Sequence, residues 1–202
     1  MARYGMVMNV HACLGCRACM AACSEWNQTP FWAEDFKGKW RTRVTEIEEG
    51  KFPEVKRYFF PTICMHCENP PCHSVCPTEA TYINKDGIVL IDYDLCLGCG
   101  YCIEACPYDA RYEYELDDLK QDEFYFGEDA RHHQAHVDKC TFCVDRLAEG
   151  IEPSCAATCV GHARIFGDLD DPKSEIAQLV STGKAKPLGE YMGAKPKVYY
   201  IK

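Results

Sequence analysis

Residues 96–107 read CLGCGYCIEACP, and this dense run of cysteines determines what the chain can fold around. Its cysteines are spaced x2, x2 and x3, and the last is followed by Pro107. Residues 13–23, CLGCRACMAAC, repeat the same spacing. The 202-residue chain has sixteen cysteines, and all of them fall in four runs of four. The two remaining runs are more open: Cys64-x2-Cys67-x4-Cys72-x3-Cys76-Pro77 and Cys140-x2-Cys143-x11-Cys155-x3-Cys159.

The tight spacing is typical of a bacterial ferredoxin, in which three cysteines hold one [4Fe–4S] cluster and the fourth reaches across to another. Gly15 and Gly98 lie inside the x2 loops, where glycine lets the backbone adopt the conformation that a tight wrap requires. At four thiolates per cluster, the sixteen cysteines predict four [4Fe–4S] clusters with no cysteine left over. Because such clusters exchange single electrons, the predicted function is electron transfer.

Disulfides and structural zinc are the two alternative uses of these cysteines. Repeated C-x2-C pairs have poor geometry for disulfides, and 202 residues are enough for a core without them. A structural zinc site takes two C-x2-C pairs and a linker, and it needs no third cysteine at x2 or fourth at x3. A zinc-stabilised interaction module stays as the alternative from a different functional class. Colour separates the two, since the iron–sulfur protein is brown and the zinc protein colourless.

The rest of the composition restricts the partners and the location of the chain. Its formal net charge of −9 argues against nucleic acid, which requires a basic face. No run of about 18 apolar residues is present, so no transmembrane helix is predicted. Residues 1–6 lack an apolar signal core and a twin arginine. We expect the chain to be either cytoplasmic or exported together with a partner.

Residues 81–92, between the second and third runs, predict a β-hairpin with Asp86-Gly87 at its turn. Run, hairpin, run is the plan of a two-cluster ferredoxin, in which the last cysteine of each run serves the cluster of the other run. The first and fourth runs are left to pair across the intervening chain. The predicted ligand sets are set 1 (Cys13, Cys16, Cys19, Cys159), set 2 (Cys23, Cys140, Cys143, Cys155), set 3 (Cys64, Cys67, Cys72, Cys106) and set 4 (Cys96, Cys99, Cys102, Cys76).

This pairing predicts an α+β fold of two bacterial-ferredoxin-like 2[4Fe–4S] modules, one inserted into the other, with short helices, β-hairpins and long loops. Module I is residues 1–53 plus 137–170, and module II is residues 54–112. Residues 113–136 form an insert loop and residues 171–202 a C-terminal docking tail. In the tail, Asp171-Pro172 predicts the start of a helix and Gly183 its end. Residues 197–201 then predict a short strand that packs either on a partner or on the rest of this chain.

Aromatic and histidine residues stand out in the connections between the runs. Trp26, Trp32 and Trp40 are expected to be core or interface anchors rather than redox stations. The insert carries three close histidines, His132, His133 and His136. A solvated loop is favoured over a metal site there, because no carboxylate or cysteine spacing completes a ligand set.

The whole chain resembles the four-cluster iron–sulfur subunit of the molybdopterin oxidoreductase (DMSO reductase) superfamily. Similar members serve dimethyl sulfoxide, polysulfide, thiosulfate, tetrathionate and arsenate reductases. The resemblance rests on residues 6–23, CMHCENPPC at 64–72, CPYDARY at 106–112, KCTFC at 139–143 and FGDLDDP at 166–172. Val160 departs from the pattern, since relatives commonly have proline there, and the 113–136 insert is longer than in the smallest members.

The resemblance implies an electron-transfer subunit, which conducts electrons through a series of clusters and has no catalytic site of its own. It implies a large partner subunit with a molybdenum or tungsten bis-pterin and, in some complexes, a quinone-reactive integral membrane subunit. Set 1 would lie at the catalytic end and set 4 at the quinone or membrane end, with sets 2 and 3 between them. Some relatives replace the cysteine at the position of Cys99 and hold a [3Fe–4S] cluster, so Cys99 implies four cubanes here.

The resemblance also suggests a physiological setting. The polar C-terminal stretch is similar to the sulfur-compound and arsenate reductases of anaerobic respiration, whereas formate dehydrogenase relatives often carry a C-terminal membrane helix. It suggests the periplasm or the outer face of the cytoplasmic membrane, reached by co-export with a twin-arginine partner. The alternative is a ferredoxin-like subunit of a hydrogenase or formate dehydrogenase complex.

Three residues beside the cysteines are candidates for tuning the cluster potentials. Arg17 lies between two ligands of set 1, Lys139 directly precedes Cys140, and His66 lies inside the loop of the second run. Positive charge at Arg17 and Lys139 would raise a cluster potential, and His66 would hydrogen-bond a sulfur or face a partner. The alternative for all three is an exposed, solvated side chain.

Overall fold

The computed structural model describes residues 2–29, 39–114 and 137–202. All sixteen cysteines lie within these ranges. Trp32, the three histidines of the insert and nearly all of the insert itself lie outside the described residues.

Most of the described elements are short, as expected for a chain that folds around cysteine runs. The strands are β1 (Tyr4–Asn9), β2 (Thr42–Lys51), β3 (Glu54–Ile63), β4 (Thr81–Ile83), β5 (Val89–Ile91), β6 (Tyr112–Glu113), β7 (Val137–Asp138), β8 (Arg164–Asp168), β9 (Lys186–Pro187) and β10 (Val198–Ile201). The helices are α1 (Ala18–Asn27), α2 (Pro71–Ser74), α3 (Tyr101–Glu104), α4 (Val144–Ala148), α5 (Ser154–Ala157), α6 (Glu175–Ser181) and the 3-10 helix Glu190–Met192. None of the helices in the described part is long and apolar enough to cross a membrane.

One four-stranded sheet, in the order β8-β1-β10-β9, joins the first and last strands of the chain. β1 is antiparallel to β8, with Met6 opposite Phe166, and parallel to β10, with Met6 opposite Val198. Met6 and Val198 are fully buried. The strand predicted over 197–201 is confirmed as Val198–Ile201, and of the two alternatives it packs on the body. Two strands of the 171–202 segment, β9 and β10, therefore belong to this sheet.

The helix in this C-terminal segment begins later than the sequence predicted. It starts at Glu175, so the start at Asp171-Pro172 is wrong. The Ser174 hydroxyl accepts a hydrogen bond from the amide of Ala177 at 3.2 Å, and this cap satisfies a free N–H of the first turn. Gly183, with φ 71, directly follows the end of the helix and confirms the predicted stop.

Two antiparallel hairpins lie between the cysteine runs. β4 and β5 pair with Thr81 opposite Ile91, and Gly87 at the turn has φ 72, so the predicted hairpin is confirmed. β2 and β3 form a longer hairpin with Thr42 opposite Ile63. The predicted boundary between residues 53 and 54 falls at the turn of this longer hairpin, which therefore spans both predicted modules.

Candidate metal centres

The cysteines are free thiols, and three of the predicted sets each surround one small cavity. The cavity of set 1 has Arg164 in its wall. The cavities of set 3 and set 4 both have Arg111 in their walls. Each of the three cavities is lined by the four cysteines of its own set and by no other cysteine. Each of these cavities thus brings together cysteines from two different runs.

Set 2 is the most deeply buried of the four. Its four cysteines are all buried. Burial raises the pKa of the Cys23 thiol well above its usual value, and the nearby charges of Cys155, Cys140 and Cys143 raise it further. The Asn27 amide donates to the sulfurs of Cys23 and Cys143, at 3.5 and 3.8 Å. The first run is therefore joined to the fourth run around this set.

Neighbouring residues link set 1 with set 2, set 2 with set 3 and set 3 with set 4. Burial raises the pKa of the Cys155 thiol in set 2 to about 11, and the charge of Cys19 in set 1 contributes to that shift. Burial likewise raises the pKa of Cys140 in set 2, with a contribution from Cys64 in set 3. Arg111 lies in the walls of both set 3 and set 4.

The most exposed cysteines belong to sets 1 and 4, and Cys106 of set 3 is partly exposed. Of the sixteen cysteines, Cys16 in set 1 and Cys99 in set 4 are classed as exposed. The leucines that lie in the same loops, Leu14 and Leu97, are 64% and 69% exposed. Sets 1 and 4 therefore reach the surface beside apolar side chains, whereas all four cysteines of set 2 and three of the four in set 3 are buried.

The first C-x2-C loop of each run turns through a left-handed residue just before its second cysteine. Gly15 and Gly98, at φ 68 and 66, confirm the predicted role of glycine in the wrap. His66 and Phe142 occupy the same loop position in the second and fourth runs, at φ 42 and 54. A left-handed conformation costs a non-glycine residue about 1–2 kcal/mol, so the surrounding packing must stabilise both loops.

His66 and Phe142 supply part of that packing by stacking on each other. Their ring centroids are 3.7 Å apart. His66 is fully buried, and burial lowers its pKa well below the usual range, so the ring is neutral near pH 7. Neither ring nitrogen has a hydrogen-bond partner among the described residues. Because the ring is buried, the prediction that His66 faces a partner is wrong, and so is the exposed alternative, whereas a hydrogen bond to a sulfur stays a prediction. Its ring packs between the loops of sets 2 and 3.

The other two candidate tuning residues differ in their burial. Arg17 is exposed at the mouth of the set 1 cavity. Lys139 is fully buried, so the solvated alternative does not apply to it. Its ammonium donates to the carbonyl oxygen of Cys140 at 2.8 Å and to that of Val89, which lines the set 3 cavity.

The cavities fit a polynuclear group better than a single ion. No three His, Cys, Asp or Glu side chains in the described ranges are placed to hold one metal ion. Instead, four sulfurs surround each of the three cavities. Nε of Arg111 and Nη1 of Arg164 are buried without a hydrogen-bond partner in the described part of the chain. Buried N–H groups require acceptors, and the sulfur atoms of a [4Fe–4S] cluster would supply them.

Sequence reasoning missed Arg111 and Arg164 because neither adjoins a cysteine. A signal was nevertheless present. Each is the fifth residue after the last cysteine of its run, in Cys106-x4-Arg111 and Cys159-x4-Arg164, and each follows an alanine. This repeated Ala-Arg pair indicates that Arg111 and Arg164 occupy equivalent positions after the third and fourth cysteine runs.

The buried carboxylate of Asp138 is connected to set 2 through a network of hydrogen bonds. Asp138 is completely buried and accepts hydrogen bonds from Arg41 Nε at 2.8 Å, Tyr114 at 2.8 Å and Tyr93 at 2.8 Å. Arg41 donates in turn to the Asn27 oxygen at 2.7 Å, which orients the amide that faces the set 2 sulfurs. This network connects strand β7 to the cysteines of α1.

Trp26 confirms its expected role as an anchor between elements. Its indole N–H donates to Asp145 at 2.8 Å, and the Arg146 guanidinium lies 4.3 Å from the ring centroid. These contacts fasten α1 to α4.

The cysteine sets and their cavities define a cluster-binding protein built on ferredoxin-like cysteine runs, and comparison with known proteins agrees. A 4Fe-4S dicluster domain profile matches residues 55–122 and 125–169, and a second 4Fe-4S dicluster domain profile matches residues 12–80. The protein belongs to the family of 4Fe-4S dicluster iron–sulfur subunits.

Its relatives include the B subunits of several reductases. The B subunit of tetrathionate reductase from Salmonella typhimurium is 40% identical over 98% of this chain and 72% of its own length. A putative dimethyl sulfoxide reductase iron–sulfur B subunit from Halobacterium salinarum is 38% identical over 100% of this chain and 79% of its own. The polysulfide reductase B polypeptide of Wolinella succinogenes is 39% identical over 98% of this chain and 94% of its own.

Proposed function

We propose that this chain is the electron-transfer subunit of a molybdopterin oxidoreductase complex and that sets 1 to 4 hold four [4Fe–4S] clusters. When bound, each cluster accepts and releases one electron at a time. The observation that carries the proposal is the arrangement of the sets, in which the two exposed cysteines, Cys16 and Cys99, belong to sets 1 and 4 and set 2 is fully buried. An electron conductor between two partners requires such an arrangement, and the chain supplies no catalytic site itself.

The chain's own side chains and amides would hold and insulate the clusters. The amide of Ala163 donates to Cys159 Sγ at 3.2 Å, and the amide of Thr81 donates to Cys76 Sγ at 3.5 Å. Hydrogen bonds to cysteine sulfurs stabilise the reduced state and raise the potential. Burial of all four cysteines of set 2 would exclude water from that part of the path.

The division into modules follows from which runs share sets. We propose that module II (54–112) is inserted into module I (1–53 plus 137–170), because the first and fourth runs share sets 1 and 2 while the second and third share sets 3 and 4. The hairpin β2–β3 then belongs to both modules. Residues 171–202 complete the sheet of module I through β10, and a docking role for this segment stays part of the proposal.

The two exposed ends would face different partners. We assign set 1 to a catalytic subunit with a molybdenum or tungsten bis-pterin and set 4 to a quinone-linked membrane subunit or a soluble carrier. The relatives named for tetrathionate, dimethyl sulfoxide and polysulfide favour a reductase of sulfur compounds in anaerobic respiration over a hydrogenase or formate dehydrogenase. Co-export with a twin-arginine partner to the periplasmic side is the location we propose.

Elemental analysis of the natively purified complex, protected from oxygen, tests the proposal. We expect about sixteen irons from this subunit, a few more from its partner, and one molybdenum or tungsten. Iron without either heavy metal would instead indicate the hydrogenase or ferredoxin alternative. Zinc in place of iron would overturn the cluster assignment altogether.

Arg17→Glu is expected to lower the potential of the set 1 cluster alone. The substitution reverses the charge at the mouth of the set 1 cavity. Because Arg17 is exposed, solvent screens much of the effect, and we expect less than a tenfold change in the one-electron equilibrium, below about 59 mV. Redox titration followed by electron paramagnetic resonance (EPR) measures it. Lys173→Glu, on an exposed turn, is the control, and an unchanged set 1 potential in Arg17→Glu would reject the tuning role.

A further inference from the structure

We propose that Arg111 and Arg164 are junction residues, each of which raises the reduction potentials of two neighbouring clusters at once. The inference rests on the function proposed above, since it concerns clusters in sets 1 to 4. It goes further by assigning one shared cation to the junction between sets 3 and 4 and another to the junction between sets 1 and 2.

Arg111 lies between set 3 and set 4. Its Nη2 donates to Cys72 Sγ of set 3 at 3.1 Å, and it lines the cavities of both sets. The hydroxyl of Thr81 accepts from Nη1 at 3.1 Å and holds the guanidinium in place. Burial lowers the pKa of Arg111, but the negative charges of Cys72 and Cys102, one from each set, more than offset this effect and raise it.

Arg164 occupies the equivalent place between set 1 and set 2. It lines the set 1 cavity, and its positive charge opposes the burial that raises the pKa of Cys19 in set 1 and of Cys155 in set 2. Its Nη2 donates to the Thr42 hydroxyl at 2.6 Å. Each arginine thus has a threonine hydroxyl that orients it, sulfurs of two sets beside it, and one buried N–H without a partner among the described residues.

The chemistry of arginine suits a shared junction. A guanidinium stays charged at any physiological pH and carries five N–H donors in a fixed plane, so it can donate in two directions. In a poorly solvated interior its charge acts over longer distances than at the surface. Positive charge and hydrogen bonds to sulfur both favour the reduced cluster and raise its potential. One arginine therefore affects both neighbours.

Redox titration of Arg111→Gln in the intact complex, followed by EPR, tests the proposal. Glutamine keeps donor capacity but removes the charge. We expect the potentials of sets 3 and 4 to fall together, each by at least a tenfold change in the one-electron equilibrium, which is about 59 mV. Sets 1 and 2 should stay unchanged, and Arg164→Gln should show the converse. Arg111→Lys keeps the charge and should therefore have potentials close to those of the wild type. Arg57→Gln, on the exposed hairpin, should leave all four cluster potentials unchanged.

A shift confined to one set, or no shift, would overturn the proposal. If the glutamine variants do not accumulate, the wild-type complex labelled with ¹⁵N only in its guanidino groups replaces them. Pulsed EPR should then detect guanidino nitrogen coupled to both set 3 and set 4, and coupling to one of them or to neither would count against us. Iron analysis of the wild type separates the two hypotheses, because iron far below sixteen per chain refutes the proposed function itself.

Discussion

Cys106→Ala is expected to abolish the same cluster signal as Cys72→Ala, although the two cysteines lie in different runs. Both line the set 3 cavity, whereas Cys99, from the same run as Cys106, lines that of set 4. A [4Fe–4S] cluster that loses one of its four thiolates is lost or degraded, so each variant should lose up to about four irons. Because set 3 lies inside the ordered series, its loss should also stop electron transfer between the two partners.

Cys99→Ala is the matched control for this experiment. It should remove a different EPR signal, that of set 4, and leave the set 3 signal in place. If each run instead held its own cluster, Cys106→Ala and Cys99→Ala would remove the same signal and Cys72→Ala another. That result would contradict the crossed assignment. Turnover of the intact complex with its electron donor and acceptor, measured beside the spectra, checks that the lost signal belongs to the transfer path.

The cysteine pattern predicted which side chains meet, because ligand spacing is a local property of the chain. The glycine turns of the x2 loops and the hairpin at 81–92 both follow from a few residues of sequence. The same local reasoning placed the end of α6 at Gly183. It placed the start wrongly, since Asp171 and Ser174 both carry oxygens that cap a helix and only the fold selects between them.

The residues between the clusters could not be found in this way, because they act across long sequence separations. Arg164 meets Thr42 from the other end of the chain, and His66 stacks on Phe142. Adjacency to a cysteine favoured Arg17, which the fold leaves exposed, over Arg111, which the fold buries. Which charged residue lies between two cysteine sets is determined by the packing of segments that are far apart in the sequence.

Asp138→Asn is expected to cause a large loss of stability and to disturb set 2. Arg41 and Asp138 form an ion pair of 2.8 Å with side chains that are 3% and 0% exposed. Burial alone lowers the pKa of Arg41, and Asp138 more than offsets it, so the pKa is raised well above its usual value. Removing the carboxylate charge breaks the buried ion pair while Arg41 stays charged, which costs roughly 3–5 kcal/mol when one partner of a buried pair is removed.

The measurement is denaturant unfolding of the cluster-loaded protein, followed by its visible absorbance. Asp109→Asn is the matched control, because Asp109 is 85% exposed in its pair with Arg43 and should contribute less than about 1 kcal/mol. Since Arg41 also orients Asn27 toward the sulfurs of Cys23 and Cys143, the EPR signal of set 2 should change in Asp138→Asn and stay constant in the control. Equal stabilities of the two variants would show that the hydrogen bonds of the tyrosines, and not the charge of Asp138, hold this part of the fold together.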